Sequence, residues 1–403
     1  MANKFLTIDM ITYEALLEFG NELNFAKKVN RTYSNQFGKE GAKIGDTVRV
    51  RLEQNYTVSD GASLELQDIV ERNTTVEINK RKHIGLEYSQ RDRVLSMDDM
   101  SRRIIKPAIK AIAHQVESDL IALIPQVPKM IVWDTNSGTQ KPFSVFSKAR
   151  AVLEDAYIPS SDLSAFIGPF ANAVLADSLT QLAFNNEKSN KALDKNKVGH
   201  LAGIDIYTSP LLKGYVMGTA VEEATITVDG ASQASLANGS VTIKGMVGTL
   251  KKGDTFTFAG VYDVNPITKD VRSTLKQFTV LEDVAAAGTV VKFAPAIVES
   301  GAYKNVSSVP ANNAKVSFLG TSAGTYEMGV VFAKDAFALV SADLPLNADS
   351  NKCSRASDNE VGVSIRVTDV YEPKEDVTIL RFDALYGVNT LDTNQAVKIA
   401  TKY

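Results

Sequence analysis

The sequence predicts an α+β chain of at least two compact units, with a small all-β barrel of six strands inserted rather than appended. Three observations carry this reading. Amphipathic helical patterns intermix with strand-like alternation over the first 215 residues. The helical patterns vanish between residues 216 and 322, where six short alternating runs stand between Gly, Asn and Pro turns, and mixed strand patterns return from 323 onward. At 403 residues the chain also exceeds the length at which a single hydrophobic core stops growing.

Taken in order, Ile8, Ile11, Ala15, Phe19, Leu23 and Ala26 fall on one helical stripe with Glu14, Glu18 and Glu22 on another face, so residues 8–28 read as an amphipathic arm. Gly38, Gly41 and Gly45 then make a flexible tether. Val48, Val50 and Leu52 alternate with Arg49 and Arg51, and Val76 and Ile78 alternate with Glu77 and Asn79. These two strands flank a projecting two-stranded loop, residues 53–75, with Asp60, Glu65, Asp68, Glu71 and Arg72 among scattered Leu64, Leu66 and Ile69. Arm and loop have no core of their own. The residues expected to contact other subunits are therefore Ile8 and Phe19 on the arm and Asp60, Glu65, Asp68, Glu71 and Arg72 on the loop.

Asp98 and Asp99 open the longest helical pattern, which runs through Met100, Ile104, Ala108, Ile112, Val116, Leu120 and Leu123. Pro107 inside it should kink the axis, and Pro125 and Pro128 should stop it. A second helix is expected over about 144–157. The six short runs of the barrel are 225–228, 241–246, 255–258, 276–281, 289–293 and 315–319. Runs at 330–340, 362–370 and 377–386 return as sheet. The connection 229–240 holds Asp229-Gly230 and Asn238-Gly239, two turn signals that should close it compactly.

Composition excludes more than it assigns. A net charge of −3 is too small to argue for nucleic-acid or membrane-surface binding. The single Cys353 rules out an intrachain disulfide and fits a protein made in a reducing cytoplasm, and the N-terminus has no apolar signal core. His83, His114 and His200 lie in different elements, with no HExxH pair and no second cysteine for a zinc site. Gly248 and Gly253 mimic the spacing of a phosphate loop, but Asp254 stands where the lysine is needed, so a hairpin turn explains them better. Asp349, Asn351 and Glu360 match three positions of a calcium loop, yet Cys353 and Ser354 replace an oxygen ligand and the turn glycine. No catalytic constellation, cofactor or metal is expected.

Several segments, in this order, resemble major capsid proteins of tailed bacteriophages: Ala149 to Leu153 followed by Ile158-Pro159, Ala165 to Pro169, Leu201 to Pro210, Val331 to Phe337, and Phe382 to Asn389. Leu250 to Val261, with Gly253-Asp254 and Phe256, and Leu385 to Asn389 are similar to the inserted barrel and C-terminus of coat proteins of the P22 type from short-tailed Salmonella phages.

The resemblance implies a Hong Kong 97-type capsid fold. Its parts would be an N-terminal arm (1–44), an extended loop (45–85), a spine helix and peripheral domain (86–159), and the first part of an axial domain (160–215). The inserted barrel (216–322) and an axial and peripheral return (323–403) would follow. It further implies an icosahedral shell of pentamers and hexamers around double-stranded DNA, bound without sequence specificity, with scaffolding and portal proteins as partners and assembly in the host cytoplasm. One departure stands out: the connection 229–240 is short where that family carries a long acidic loop. Two other non-enzymatic readings share much of the pattern, an encapsulin-like shell protein and a phage tail or adhesin protein.

Overall fold

A computed structural model describes residues 8–31, 47–56, 58, 66, 71–89, 101–136, 141–159, 162–182, 199–223, 225–230, 233–346, 352–358 and 362–403. The chain divides into two units. The first comprises residues 1–51, 73–121 and 337–391, the second residues 52–72, 122–336 and 392–403.

In the first unit, helix α1 (Ile8–Glu22) buries Thr12, Ala15, Leu16, Phe19 and Gly20. The chain then reverses through Leu23, Phe25, Ala26 and Val29, all fully buried, and Asn30 joins the strand that begins at Phe337 through Asn30 N to Phe337 O and Leu339 N to Asn30 O, both 3.0 Å. Here the expectation for the arm needs correcting. Phe19 does not wait for a neighbouring subunit; it belongs to the core of its own chain, while Ile8 is half-buried. An apolar stripe shows that a helix needs a cover, and the cover here comes from distant segments: α2 (Lys106–Ile121), β17 (Cys353–Asp358) and β18 (Val363–Glu372).

A five-residue π turn, Ser101–Ile105, runs directly into α2, so Pro107 is the second residue of the α-helix proper and follows an irregular turn. A first-turn proline lacks only an N–H that has no partner within the helix anyway. Asp98 and Asp99 lie outside the described residues. Further along α2, the buried Glu117 points its Oε1 at the chain reversal and accepts the amides of Asn24 (2.6 Å), Phe25 (2.7 Å) and Ala26 (3.2 Å).

Strands β1 (Thr47–Arg51) and β2 (Asn73–Glu77) pair antiparallel in the register Val50 to Thr74, closing the base of the expected loop. A separate five-stranded sheet forms around β19 (Val377–Thr390). It runs β16 (Phe337–Ser341), β19, β18, β17, with β3 (Lys80–Ser89) on the other edge of β19 over ten residue pairs.

The second unit holds two sheets. The axial sheet contains β4 (Met130–Asp134), β5 (Leu163–Ile167), β6 (His200–Leu201), β7 (Ile204–Thr208), β8 (Gly214–Val216), β15 (Thr325–Phe332) and β20 (Ala396–Lys402). Its main path is β4-β20-β15-β5-β7-β6, with β4 parallel to β20 and β5 parallel to β7. Trp133, Phe146, Leu153, Ile167, Leu175, Val331 and Ile399 share one core, which joins the sheet to helices α3 (Pro142–Glu154) and α4 (Pro169–Leu182).

The inserted segment is a nearly closed barrel ordered β14 (Val316–Phe318), β11 (Thr255–Val264), β12 (Val271–Val280), β13 (Val290–Ala294), β10 (Ser240–Lys244), β9 (Thr227–Val228). Its two ends meet through Val228 N to Ala314 O and Val316 N to Ile226 O, both 3.0 Å. Phe256, Phe258, Phe278 and Phe293 fill the centre with ring centroids 5.2–6.1 Å apart in stacked, tilted and edge arrangements. The chain enters and leaves the barrel side by side: Met217 N donates to Gly324 O at 3.0 Å, and β8 pairs with β15. In the connection 229–240, the 3₁₀ turn Ala234–Asn238 drops Leu236 into the barrel core, and Gly239 at φ 69° supplies the left-handed step that starts β10.

Candidate functional site

Metal-ligating and nucleophilic side chains are scattered among the described residues. No group of three or more His, Cys, Asp or Glu could hold a metal there. His114 lies 3.6 Å from Glu22, His200 Nδ1 lies 2.9 Å from Asp205, and the Cys353 sulfur lies 3.4 Å from the Thr368 hydroxyl. None of these contacts pairs a nucleophile with a base. Residues 349–351 and 359–361, which hold Asp349, Asn351 and Glu360 of the calcium-like pattern, are outside the described residues. No described helix is long and apolar enough to cross a membrane.

What the fold does build is surface. Residues directly opposite one another on neighbouring strands share a face. The pairs His83 with Asp383, Gly85 with Arg381, Asp383 with Arg366 and Arg366 with Arg355 therefore put one row of side chains on a single side of the five-stranded sheet. The other side holds Phe382, Leu380, Ile365 and Val367 and is core. On the first side, the fully buried Asp383 carboxylate accepts Arg366 at 2.8 Å, Arg381 at 3.0 Å and Arg81 at 3.3 Å. Burial alone would push this carboxyl up, but Arg366 and Arg381 outweigh it and hold it below the usual range. Arg355 pairs with Asp343 at 3.5 Å. Arg81, Arg381 and Arg355 keep between a third and a half of their side chains in water, so the sheet presents a band of guanidinium groups held in place from beneath.

Helix α1 adds a second surface. Met10, Tyr13 and Leu17 recur at helical spacing on its outer side and are 51%, 62% and 51% exposed. The stripe through Phe19 had been the arm's expected contact face, and this other stripe is the one left open. Its signal was present in the sequence but was masked by the stronger pattern through Ala15 and Phe19.

Of the loop residues, Glu71 is exposed and Arg72 lies over the ring of Tyr303 at 5.0 Å, while Arg72 O accepts Leu52 N at 3.0 Å. Asp60, Glu65 and Asp68 fall outside the described residues, as do Leu64 and Ile69. Asp229, on the short connection, makes an exposed pair with Lys244 of its own barrel at 3.4 Å.

Comparison with known proteins gives these surfaces a context. Residues 1–398 match the family model described as P22 coat protein, gene protein 5. No curated protein matches the sequence. Among solved structures, a chain from Mycobacterium phage Che8 aligns over 94% of this chain and 90% of its own, with 13% identity and a TM-score of 0.49. One from the mature capsid of bacteriophage PhiM1 aligns over 89% and 82%, with 12% identity and a TM-score of 0.43. A virus-like particle from Pyrococcus furiosus aligns over 96% and 98%, with 10% identity and a TM-score of 0.40. The family match spans arm, sheets and inserted barrel alike, and the chain belongs to the P22 coat protein family, as a major capsid protein of a tailed bacteriophage.

Proposed function

We propose that this subunit forms an icosahedral shell of pentamers and hexamers around double-stranded DNA, assembled in the bacterial cytoplasm with scaffolding and portal proteins as partners, and that it works by association without catalysis or cofactor. The observation that carries the reading is a complementarity between two parts of the chain. The segment from Glu53 to Arg72 holds five carboxylates, Glu53, Asp60, Glu65, Asp68 and Glu71, against Arg72 alone. The exposed band of Arg81, Arg381 and Arg355 offers the opposite charge on a rigid sheet. A loop of one copy laid on the sheet of the next repeats around a ring, a head-to-tail contact that closes by symmetry. The desolvated core of such an interface would supply the affinity, and the charges would set register and encounter rate.

The test is replacement of Asp60, Glu65, Asp68 and Glu71 together by lysine. The expected result is loss of shells while the unassembled subunit keeps its cooperative unfolding. Shells formed at the wild-type yield would contradict the reading. Because the charges are partly solvated, assembly yield should also fall as salt rises and the Debye length shrinks.

A further inference from the structure

Two buried charges in the second unit have no part in the surfaces described above. Lys398 extends from β20 of the axial sheet and is wholly buried. Its ammonium donates to Gly253 O in the barrel at 2.7 Å, to Pro125 O in the turn before β4 at 3.1 Å, and to Thr279 Oγ1 on β12 at 3.4 Å. Asp254, next to Gly253 and almost as buried, accepts the amides of Lys251 (2.7 Å) and Gly218 (3.2 Å) and the hydroxyl of Tyr215 (2.9 Å). One side chain thus reaches from the axial sheet into the barrel at the point where the barrel's β-turn is anchored.

We propose that Lys398 is a proton-controlled tie between the inserted barrel and the axial sheet, tightest when its amine is neutral and weakest when it is charged.

The geometry satisfies both forms. A charged ammonium has three donors for three oxygens. A neutral amine donates to Gly253 O and Pro125 O and accepts from the Thr279 hydroxyl, which can turn between the amine and Pro125 O, 3.1 Å away. Hydrogen bonding therefore differs little between the two states. What differs is the cost of keeping a full charge away from water, which the Asp254 carboxylate offsets only in part. Burial accordingly pushes Lys398 down to about 7. Opening the seam rehydrates the amine and returns it to an ordinary value of about 10.4. Opening thus takes up a proton between those two values, and it becomes about tenfold rarer for each pH unit gained above 7, while below 7 it no longer responds.

The other titratable groups facing this point are Asp254, Tyr215 and Lys129. Asp254 is pushed up by burial, so opening releases its proton, the opposite sense to Lys398. Tyr215, desolvated and bonded to Asp254, is pushed far up and stays protonated throughout. Lys129, whose carbonyl accepts Lys398 N at 2.9 Å, is pushed down to about 8 by desolvation and by Lys276, so an opening that rehydrates it as well adds a second fall, but only above pH 8.

The experiment is hydrogen exchange of the full chain between pH 6 and 9, followed at the amides of Gly253, bonded to Val280 O, and Val280, bonded to Asp254 O. After correction for intrinsic base catalysis, the opening constant should be flat to pH 7 and then fall, approaching about a hundredfold by pH 9. Lys398→Met should abolish the fall between pH 7 and 8, which Lys129 cannot supply, and Lys129→Met should retain it. Asp254→Asn removes the charge that favours the ammonium, so the break should move to lower pH; this variant decides the matter if Lys398→Met does not fold. A flat wild-type profile, an unchanged fall in Lys398→Met, or a break that stays in place or rises in Asp254→Asn would overturn the proposal.

Discussion

Glu117 Oε1 accepts the amide of Phe25 at 2.7 Å, and the same oxygen takes the amides of Asn24 and Ala26. A buried carboxylate on α2 thus organises the turn by which the N-terminal segment re-enters its own subunit. Glu117→Ala leaves three amides without this acceptor, each costing about 1–3 kcal/mol if kept dry. Glu117→Gln keeps an oxygen there and should lose much less. Urea denaturation of the unassembled full-length subunit would rank the two, and equal losses would speak against the capping role.

The burial of Phe19 makes a related prediction. Phe19→Ala should destabilise the subunit by about 3–5 kcal/mol, the usual cost of emptying a phenylalanine site in a core. Tyr13→Ala, on the exposed stripe of the same helix, should change subunit stability by less than about 0.5 kcal/mol. Denaturant midpoints of the unassembled variants check both.

Asp383 sets a pH limit. Its carboxyl is held below the usual aspartate range by Arg366 and Arg381, so the folded form binds its proton less readily than the unfolded form. Its contribution is fully present above the ordinary value of about 3.9 and is lost as pH falls from there through the lower folded value. Stability measured from pH 6 to 2 should fall in that acid window. In Asp383→Asn the fall should be shallower, and an identical profile would exclude the carboxylate as its source.

The pair Asp229 and Lys244 is exposed and lies within one barrel, so Asp229→Ala should leave both stability and shell yield unchanged. Charge reversal at Glu71 or Arg72 should lower the yield. Quantifying sedimented shells from parallel expressions distinguishes the two sites, and shells lost only on replacing Asp229 would reverse the assignment.

Much of the fold was legible because local patterns and long-range packing agree. The six barrel strands follow from alternation, since Phe256, Phe258 and Phe278 face one core and the runs end at turn residues. Helix α4 was missed: its run after Pro169 is apolar on several sides, and its neighbour Leu163–Ile167 is buried at every position, so neither shows clean periodicity. Strand β20 was missed for a similar reason, because Ala396 to Thr401 is buried on both faces and pairs in parallel with distant β4. The arginine band could not be read from one dimension at all. Arg81, Arg355, Arg366 and Arg381 meet only through the register of four strands, and Lys398 shows in the sequence as an ordinary lysine.

Whether this chain closes into a shell is decided by electron microscopy of particles purified after expression with and without the phage's other head genes. Closed icosahedral shells with capsomers of five and six subunits are expected when the scaffolding protein is present. Only monomers, dimers or open aggregates, under every assembly condition and with scaffold supplied, would contradict this expectation.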